Sequence, residues 1–197
     1  MPFYYYYDPT YSLVLIGLLL CLAASARVRS TYAKYGRVRS RSGLTGREAA
    51  ERILRSAGIY DVRIEHVSGN LTDHFDPGNR VLRLSDATYQ SASVAAVGVA
   101  AHECGHAIQH SRGYAPLKIR SAIVPVANFG SAIAWPLILL GLLFNSRSSY
   151  LLIQIGILAF SFAVLFQLVT LPVEFNASRR AVQILGESGM LLPDELS

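Results

Sequence analysis

Three long apolar stretches dominate the hydrophobic pattern of the chain. They cover residues 9–26, 121–144 and 148–173, and none of them contains Asp, Glu, Lys or Arg. A membrane-spanning helix needs about 20 mostly apolar residues, whereas apolar runs of about 10–14 residues are typical of buried core helices. The pattern therefore predicts three transmembrane helices. Ala24 and Ala26 resemble a signal cleavage site, but no positive charge precedes the first stretch, so we predict an uncleaved anchor.

Two helices are predicted between the first and second apolar stretches. Thr45 and Glu48 have the spacing of a capping box, and Gly58 can end the helix that follows them. The second helix is predicted over about 91–112, because small apolar residues lead into a polar segment that stops near Gly113.

A small sheet is predicted between these two helices. Apolar and polar residues alternate over 62–67, and a second strand-like run covers 81–84. The turn-forming residues 76–79 precede the second run. We expect two or three strands that pair as a short antiparallel sheet. The fold class is therefore a mainly α membrane protein with three transmembrane helices and a small α+β unit.

The sequence HECGH on the second predicted helix carries the clearest chemistry. His102 and His106 are four residues apart, so both imidazoles can bind one metal ion, and Glu103 lies beside them. Zinc lowers the pKa of a bound water to about 7, and a nearby carboxylate can accept the proton as the water attacks a peptide carbonyl. The motif indicates metal-assisted hydrolysis with one Zn²⁺ per chain. A structural pair of histidines is the alternative.

Catalytic zinc usually takes three protein ligands, so one further donor is required. Glu174 is a better candidate for the third ligand than the remaining histidines. It directly follows the third apolar stretch, where an unpaired carboxylate is energetically costly. An even number of membrane crossings also returns it to the side of His106. The alternative is a helix-start glutamate paired with Arg179 or Arg180. His110 continues the histidine stripe, but eight helical residues advance about 12 Å, too far to share the ion.

Further residues are candidates for supporting roles. Ser178 lies one helical turn after Glu174, where it could orient an imidazole ligand or simply fill a packed contact. His66 lies on a predicted strand and is expected at the surface or in a cleft. His74, Tyr114 and Arg179 could each donate a hydrogen bond to a tetrahedral intermediate, and spacing does not separate them.

An edge strand is the expected binding site for a peptide substrate, through main-chain hydrogen bonds. We predict this edge in the segment NLTDHFDP. Its candidate residues are Asn70, Leu71, Thr72, Asp73 and His74. A surface hairpin without substrate contact is the alternative.

The distribution of basic residues indicates on which side of the bilayer the polar unit lies. Hydrophobic residues make up 52% of the 197 residues, and the net charge is +5. The basic residues cluster just after the first apolar stretch, at Arg27, Arg29, Lys34, Arg37, Arg39, Arg41, Arg47, Arg52 and Arg55. Positive residues favour the cytoplasmic side, and such a cluster suits anionic headgroups, so no nucleic-acid partner is needed. We expect residues 27–120 and residues 174 onward on the cytoplasmic side of the membrane, and residues 145–149 on the outer side.

Long stretches of the chain resemble one known family. LSDATYQSASVAAVGVAAHECGHAIQH and LPVEFNASRRA are similar to the YugP-type family of membrane zinc metallopeptidases, as are residues 40–77 and 120–141. The resemblance implies a zincin-like unit of the gluzincin type, with His102, His106 and Glu174 as zinc ligands and Glu103 as the catalytic glutamate. Ser178 stands where the wider gluzincin pattern has an aspartate. The resemblance also implies a prokaryotic cell membrane and a further hydrophobic helix beyond residue 197.

These inferences predict an organisation and a function. The predicted regions are a transmembrane anchor at 1–26, a cytoplasmic catalytic region at 27–120, two transmembrane helices at 121–173, and a helix with the third ligand plus tail at 174–197. We expect a multi-pass zinc endopeptidase that cuts membrane-associated proteins or peptides near the cytoplasmic bilayer surface. The alternatives are an intramembrane protease with Asp194 as third ligand, and a non-catalytic, zinc-stabilised membrane scaffold.

Overall fold

The computed structural model describes residues 10–144 and 147–195. Residues 1–9 of the predicted anchor region, 145–146 of the predicted outer loop and 196–197 of the predicted tail lie outside this part of the chain. The elements, in chain order, are α1 Thr10–Tyr35, α2 Gly46–Ser56, β1 Arg63–Val67, β2 His74–Asp76, β3 Val81–Ser85, α3 Asp86–Tyr89, α4 Val94–Ser111, α5 Ala115–Leu143 and α6 Arg147–Glu187.

Three helices, α1, α5 and α6, are long and apolar enough to cross a membrane. This confirms the three predicted transmembrane helices. None of the residues of α1, all of which the structure describes, is buried. α5 and α6 pack closely through small residues, since a Cβ at Gly130 would lie 2.9 Å from the carbonyl oxygen of Ala159. Such small-residue contacts let membrane helices approach each other.

α6 is one continuous helix of 41 residues. The sequence predicts an apolar span that ends at 173 and a separate helix from Glu174, whereas the structure places Glu174 inside α6. Pro172 lacks a backbone N–H and so removes one helical hydrogen bond. No glycine follows it until Gly186, and the helix continues past the apolar stretch. The polar end of α6 therefore continues from a transmembrane helix into the α+β unit.

α2 begins with the capping box that the sequence predicts. The Thr45 hydroxyl accepts the Glu48 N–H, and the Glu48 carboxylate accepts the Thr45 N–H at 2.8 Å. Gly58, at a φ of +74°, follows the end of the helix in a left-handed conformation that favours glycine. Ala50 and Ile53 lie on the buried face of α2, which packs against α4.

The sheet has three strands in the order β1-β3-β2. β2 pairs antiparallel with β3, but β1 pairs parallel with β3, whereas we expected an antiparallel sheet. The reason lies after β1, where Gly69 takes a φ of +116° and Leu71 a φ of +58°. The Asp86 carboxylate accepts the Gly69 N–H at 2.8 Å and holds this loop. β2 therefore joins one edge of β3, and β1 occupies the other edge.

The core lies between α2, the sheet, α4 and the end of α6. Its largest fully buried aliphatic residues are Ile53, Leu82 and Leu84. Because α4 packs against α2 on one side and α6 on another, its position is fixed by elements far apart in sequence. α4 carries the HECGH sequence, so the core determines where this motif faces.

Candidate metal centre

α4 is positioned by a cap at its start and by close packing at its middle. The Ser93 hydroxyl accepts the Ala96 N–H at 3.2 Å and caps the helix. A Cβ at Gly105 would lie only 2.7 Å from the carbonyl oxygen of Ala177, so the backbones of α4 and α6 touch there. This contact occurs between His102 and His106 in the chain. It brings α6 against the histidines of α4.

The structure places Glu174 beside both histidines. Its Oε2 lies 3.3 Å from Nε2 of His102 and 3.4 Å from Nε2 of His106. One ligand atom from each of the three residues lies within 4.8 Å of the other two. Zinc bonds to nitrogen and oxygen of about 2.0–2.2 Å in tetrahedral geometry separate neighbouring ligand atoms by about 3.3–3.5 Å. The spacing and the donor set of two imidazoles and one carboxylate therefore fit zinc, with one coordination position open.

Each imidazole is held through its other nitrogen. Nδ1 of His102 lies 3.1 Å from the Ser178 hydroxyl, and Nδ1 of His106 lies 3.1 Å from Oε1 of Gln109. These hydrogen bonds leave both Nε2 atoms facing Glu174. Partners of this kind orient imidazole ligands of metals. The contact expected of Ser178 is thus present.

Gln109 was not identified by the sequence reasoning. Its side chain is fully buried, and its amide donates to the Val173 carbonyl at 2.8 Å and to Oδ1 of Asn176 at 3.0 Å. It therefore links His106 on α4 to the backbone of α6 beside Glu174. A buried polar side chain needs such partners. The signal in the sequence that could have identified Gln109 is its position three residues after His106, on the same face of the helix.

Glu103 lies on the same side of α4 as the histidines, next to β2. Its Oε2 accepts the Phe75 N–H at 3.1 Å. Burial raises the pKa of Glu103 above its usual value, and the nearby His106 and His102 oppose this effect. The carboxylate is therefore close to the histidines and shielded from bulk water.

His106 has a shifted pKa of its own. Burial disfavours its charged form, but the hydrogen bond to Glu174 and the negative charge of Glu103 outweigh burial, so the pKa of His106 is raised. The site thus attracts positive charge. A divalent cation can satisfy the same carboxylates that otherwise favour a proton on the imidazole.

The other histidines make different contacts. His110 packs edge-on against Phe75, with ring centroids 5.8 Å apart. His66 contacts the Asp86 carboxylate at 2.6 Å, and Nε2 of His74 lies 3.3 Å from Arg83. Each is directed to a partner outside the group of His102, His106 and Glu174.

Asp194, the alternative third ligand, lies away from this group. Its carboxylate accepts from the Arg41 guanidinium at 2.8 Å. In the described part of the chain, the group of three residues that could hold a metal contains Glu174 and not Asp194. The geometry thus favours Glu174 over Asp194.

The predicted edge strand is shorter than the segment proposed for it. β2 begins at His74, so Asn70, Leu71, Thr72 and Asp73 lie in the loop before it. Asp73 anchors that loop, because its carboxylate accepts both the N–H and the hydroxyl of Ser85 at 2.8 Å. β2 is nevertheless an edge of the sheet. Its open edge faces Glu103, as the Phe75 hydrogen bond shows.

Comparisons with known proteins agree with this donor set. Residues 10–197 match the model of a family described as "Putative neutral zinc metallopeptidase". The chain is 49% identical over 183 residues to a Bacillus subtilis (strain 168) protein named "Putative membrane protease YugP". The aligned region covers 93% of this chain and 80% of the relative. No solved structure matches the chain. The family implies Zn²⁺ as the cofactor, and the three apolar helices agree with a relative that is named a membrane protease. This chain is a membrane protein that belongs to the neutral zinc metallopeptidase family.

Proposed function

We propose that the protein is a membrane-anchored zinc endopeptidase of the gluzincin type, with His102, His106 and Glu174 as its zinc ligands. One observation carries this proposal. Two imidazole nitrogens lie 3.3 and 3.4 Å from one carboxylate oxygen, and Glu103 lies beside them on α4 without joining the group. Three ligands, an open position and an independent carboxylate are the components of a hydrolytic zinc site.

The chain's own residues divide the work of hydrolysis. Zinc in this site would polarise a peptide carbonyl and lower the pKa of a water molecule. Ser178 and Gln109 hold the two imidazoles in orientation through their Nδ1 atoms. Glu103 accepts the proton of the attacking water and passes it to the leaving amine. Its partial burial supports this role, because a raised pKa makes the carboxylate a stronger base toward the proton of the water.

β2 is the proposed substrate-binding edge. A substrate strand that pairs with β2 can accept the Phe75 N–H, which now donates to Glu103 at 3.1 Å. That exchange frees one oxygen of Glu103 at the moment when a peptide bond lies beside it. Substrate binding and release of the base are thereby coupled at one backbone N–H.

The proposed location of the site is the cytoplasmic surface of the bilayer. Glu174 directly follows the apolar residues 148–173 of α6, which places the site next to the end of a transmembrane helix. Basic residues follow the apolar part of α1, and this asymmetry favours the cytoplasmic side. Membrane-associated proteins or peptides are therefore the proposed substrates.

Glu103→Gln tests the peptidase proposal. We expect the variant to keep its zinc, because Glu103 is not a proposed ligand, and to cleave β-casein about 10²- to 10⁴-fold more slowly than wild type. Glu187→Gln is the matched control, since Glu187 is exposed on α6, where its carboxylate accepts a hydrogen bond from the Gln183 amide. Undiminished cleavage by Glu103→Gln would refute the role of Glu103. Undiminished biological function in Glu103→Gln, with loss in His102→Ala, would favour a zinc-stabilised scaffold instead.

A further inference from the structure

A groove lies between α1 and the first part of α4, the helix that carries His102 and His106. Its volume is about 620 Å³. α1 contributes Val28, Thr31 and Tyr32, and α4 contributes Ala95, Gly98 and Val99. Cavities of about 300–1,000 Å³ hold small ligands or a few side chains. Space for part of an apolar chain is therefore present next to a transmembrane helix.

The floor of this groove and the metal centre lie on one face of α4. Ala95, Gly98 and Val99 are partly exposed, as are His102 and Glu103. These positions follow one another at intervals of three and four residues, which places them along one side of a helix. Ala96, Val97, Ala100 and Ala101, which lie between them in sequence, are fully buried. The open face of α4 is therefore continuous, apolar at its start and ionisable further on.

The two ends of this face differ in polarity. The groove end is lined mainly by aliphatic and aromatic side chains, with Arg27 and Glu195 as its charged members. Beyond His106, the face continues to His110, where a smaller cavity includes the Asp61–Arg80 ion pair. A chain lying along this face would meet apolar walls on one side of the metal centre and charged groups on the other.

We propose that the groove binds an apolar segment of the substrate, which enters from the bilayer side past α1. This inference rests on the proposed function and adds a substrate class: peptides in which apolar residues lie on one side of the cleaved bond and polar residues on the other. Continuity with Glu103 and the histidines favours a substrate over a lipid, because a bound lipid has no need to reach the metal centre. Gly98 sets the depth of the groove, since a Cβ there would meet no atom of the described residues within 4 Å.

Gly98→Leu places a side chain in the groove at a position where its Cβ meets no described atom within 4 Å, and it tests the proposal. Gly17→Leu on α1 is the matched control, because a Cβ at Gly17 also meets none of the described atoms within 4 Å and Gly17 does not line the groove. The probes are two quenched-fluorescent peptides that share one sequence taken from β-casein, the second extended by nine leucines. Both are assayed in detergent micelles with zinc-loaded protein.

We expect wild type to have a higher kcat/KM for the extended peptide than for the short peptide. Gly98→Leu should lower the ratio of these two kcat/KM values at least tenfold, mainly by raising KM for the extended peptide. Gly17→Leu should leave this ratio unchanged. An unchanged ratio in Gly98→Leu would overturn the proposal. Loss of a co-purified phospholipid from Gly98→Leu, with the ratio unchanged, would identify a lipid as the occupant and overturn it equally.

A binding measurement separates this inference from the proposed function. The labelled nine-leucine peptide is titrated against Glu103→Gln with and without Gly98→Leu, and anisotropy reports the Kd. We expect Gly98→Leu to raise the Kd at least tenfold. If wild type cut neither peptide but this dependence were found, the peptidase proposal would fail and the groove's preference for apolar peptide would stand. An unchanged Kd would refute the groove's role whatever the cleavage result.

Discussion

Gly105→Ala tests whether the contact between α4 and α6 builds the metal centre. By intrinsic propensity alone, replacing glycine with alanine inside a helix stabilises it by about 1 kcal/mol. At Gly105, however, the new Cβ would lie 2.7 Å from the carbonyl oxygen and 3.1 Å from the Cα of Ala177. Both are backbone atoms, so no side-chain rotation relieves the contact. Either α6 moves away from α4 or the variant does not fold well.

The size of this effect follows from the distances. Non-bonded atoms separate to about 3.5 Å or more, so the helices must part by about 0.5–1 Å. Metal sites tolerate deviations of about 0.2 Å in ligand distance. Glu174 lies on α6, one turn before Ala177, and would move with it. We therefore expect zinc affinity to fall at least about 10- to 100-fold, and overpacking of about 1–3 kcal/mol to exceed the helix-propensity gain.

The assay is competition for zinc against a chromophoric chelator in detergent, with thermal unfolding measured in parallel. Gly98→Ala is the matched control on the same helix, because a Cβ there meets no described atom within 4 Å. It should keep wild-type zinc affinity and gain about 1 kcal/mol of stability. Equal zinc affinity and equal stabilisation in Gly105→Ala would refute the role given to this contact.

Three further predictions concern cofactor, ligand orientation and fold. EDTA should abolish peptidase activity, and stoichiometric Zn²⁺ should restore it; activity that survives complete metal removal would contradict a metallopeptidase. Ser178→Ala should weaken zinc binding up to about tenfold without abolishing it, measured by chelator competition, because the hydroxyl only orients His102. Thr45→Ala should destabilise the protein by about 1 kcal/mol at pH 7 in denaturant unfolding. Backbone and side-chain hydrogen bonds from Thr45 lower the pKa of Glu48 from its ordinary value of 4.5. The stabilisation from this carboxylate is therefore present above that unfolded pKa and is lost as pH falls through the lower folded pKa.

Local features of the fold were predictable because short stretches of sequence determine them. The apolar stretches were long enough to predict α1, α5 and α6, and the Thr45 capping box predicted the start of α2. The parallel pairing of β1 with β3 was not predictable in this way. It depends on the conformation of Gly69 and on its hydrogen bond with Asp86, 17 residues away.

The site residues also divide into those that local sequence predicts and those that depend on distant contacts. The pairing of His102 with His106 follows from their spacing on one helix, and the predicted number of membrane crossings allows Glu174 to lie on the same side as these histidines. Gln109 links His106 to α6, and Gly105 fits against α6, only where the two helices pack, since Val173 and Ala177 lie more than 60 positions away from them. Sequence spacing within α4 does not specify that packing.

The most direct test of the central claim is the zinc content of detergent-purified protein, measured by elemental analysis. The claim is that Glu174 of α6 completes a zinc site with the histidines of α4, as its 3.3 and 3.4 Å distances to them support. Wild type and the exposed control Glu187→Ala should each carry one zinc ion per chain, while Glu174→Ala should lose most of its zinc. Full zinc occupancy in Glu174→Ala would contradict the three-ligand site.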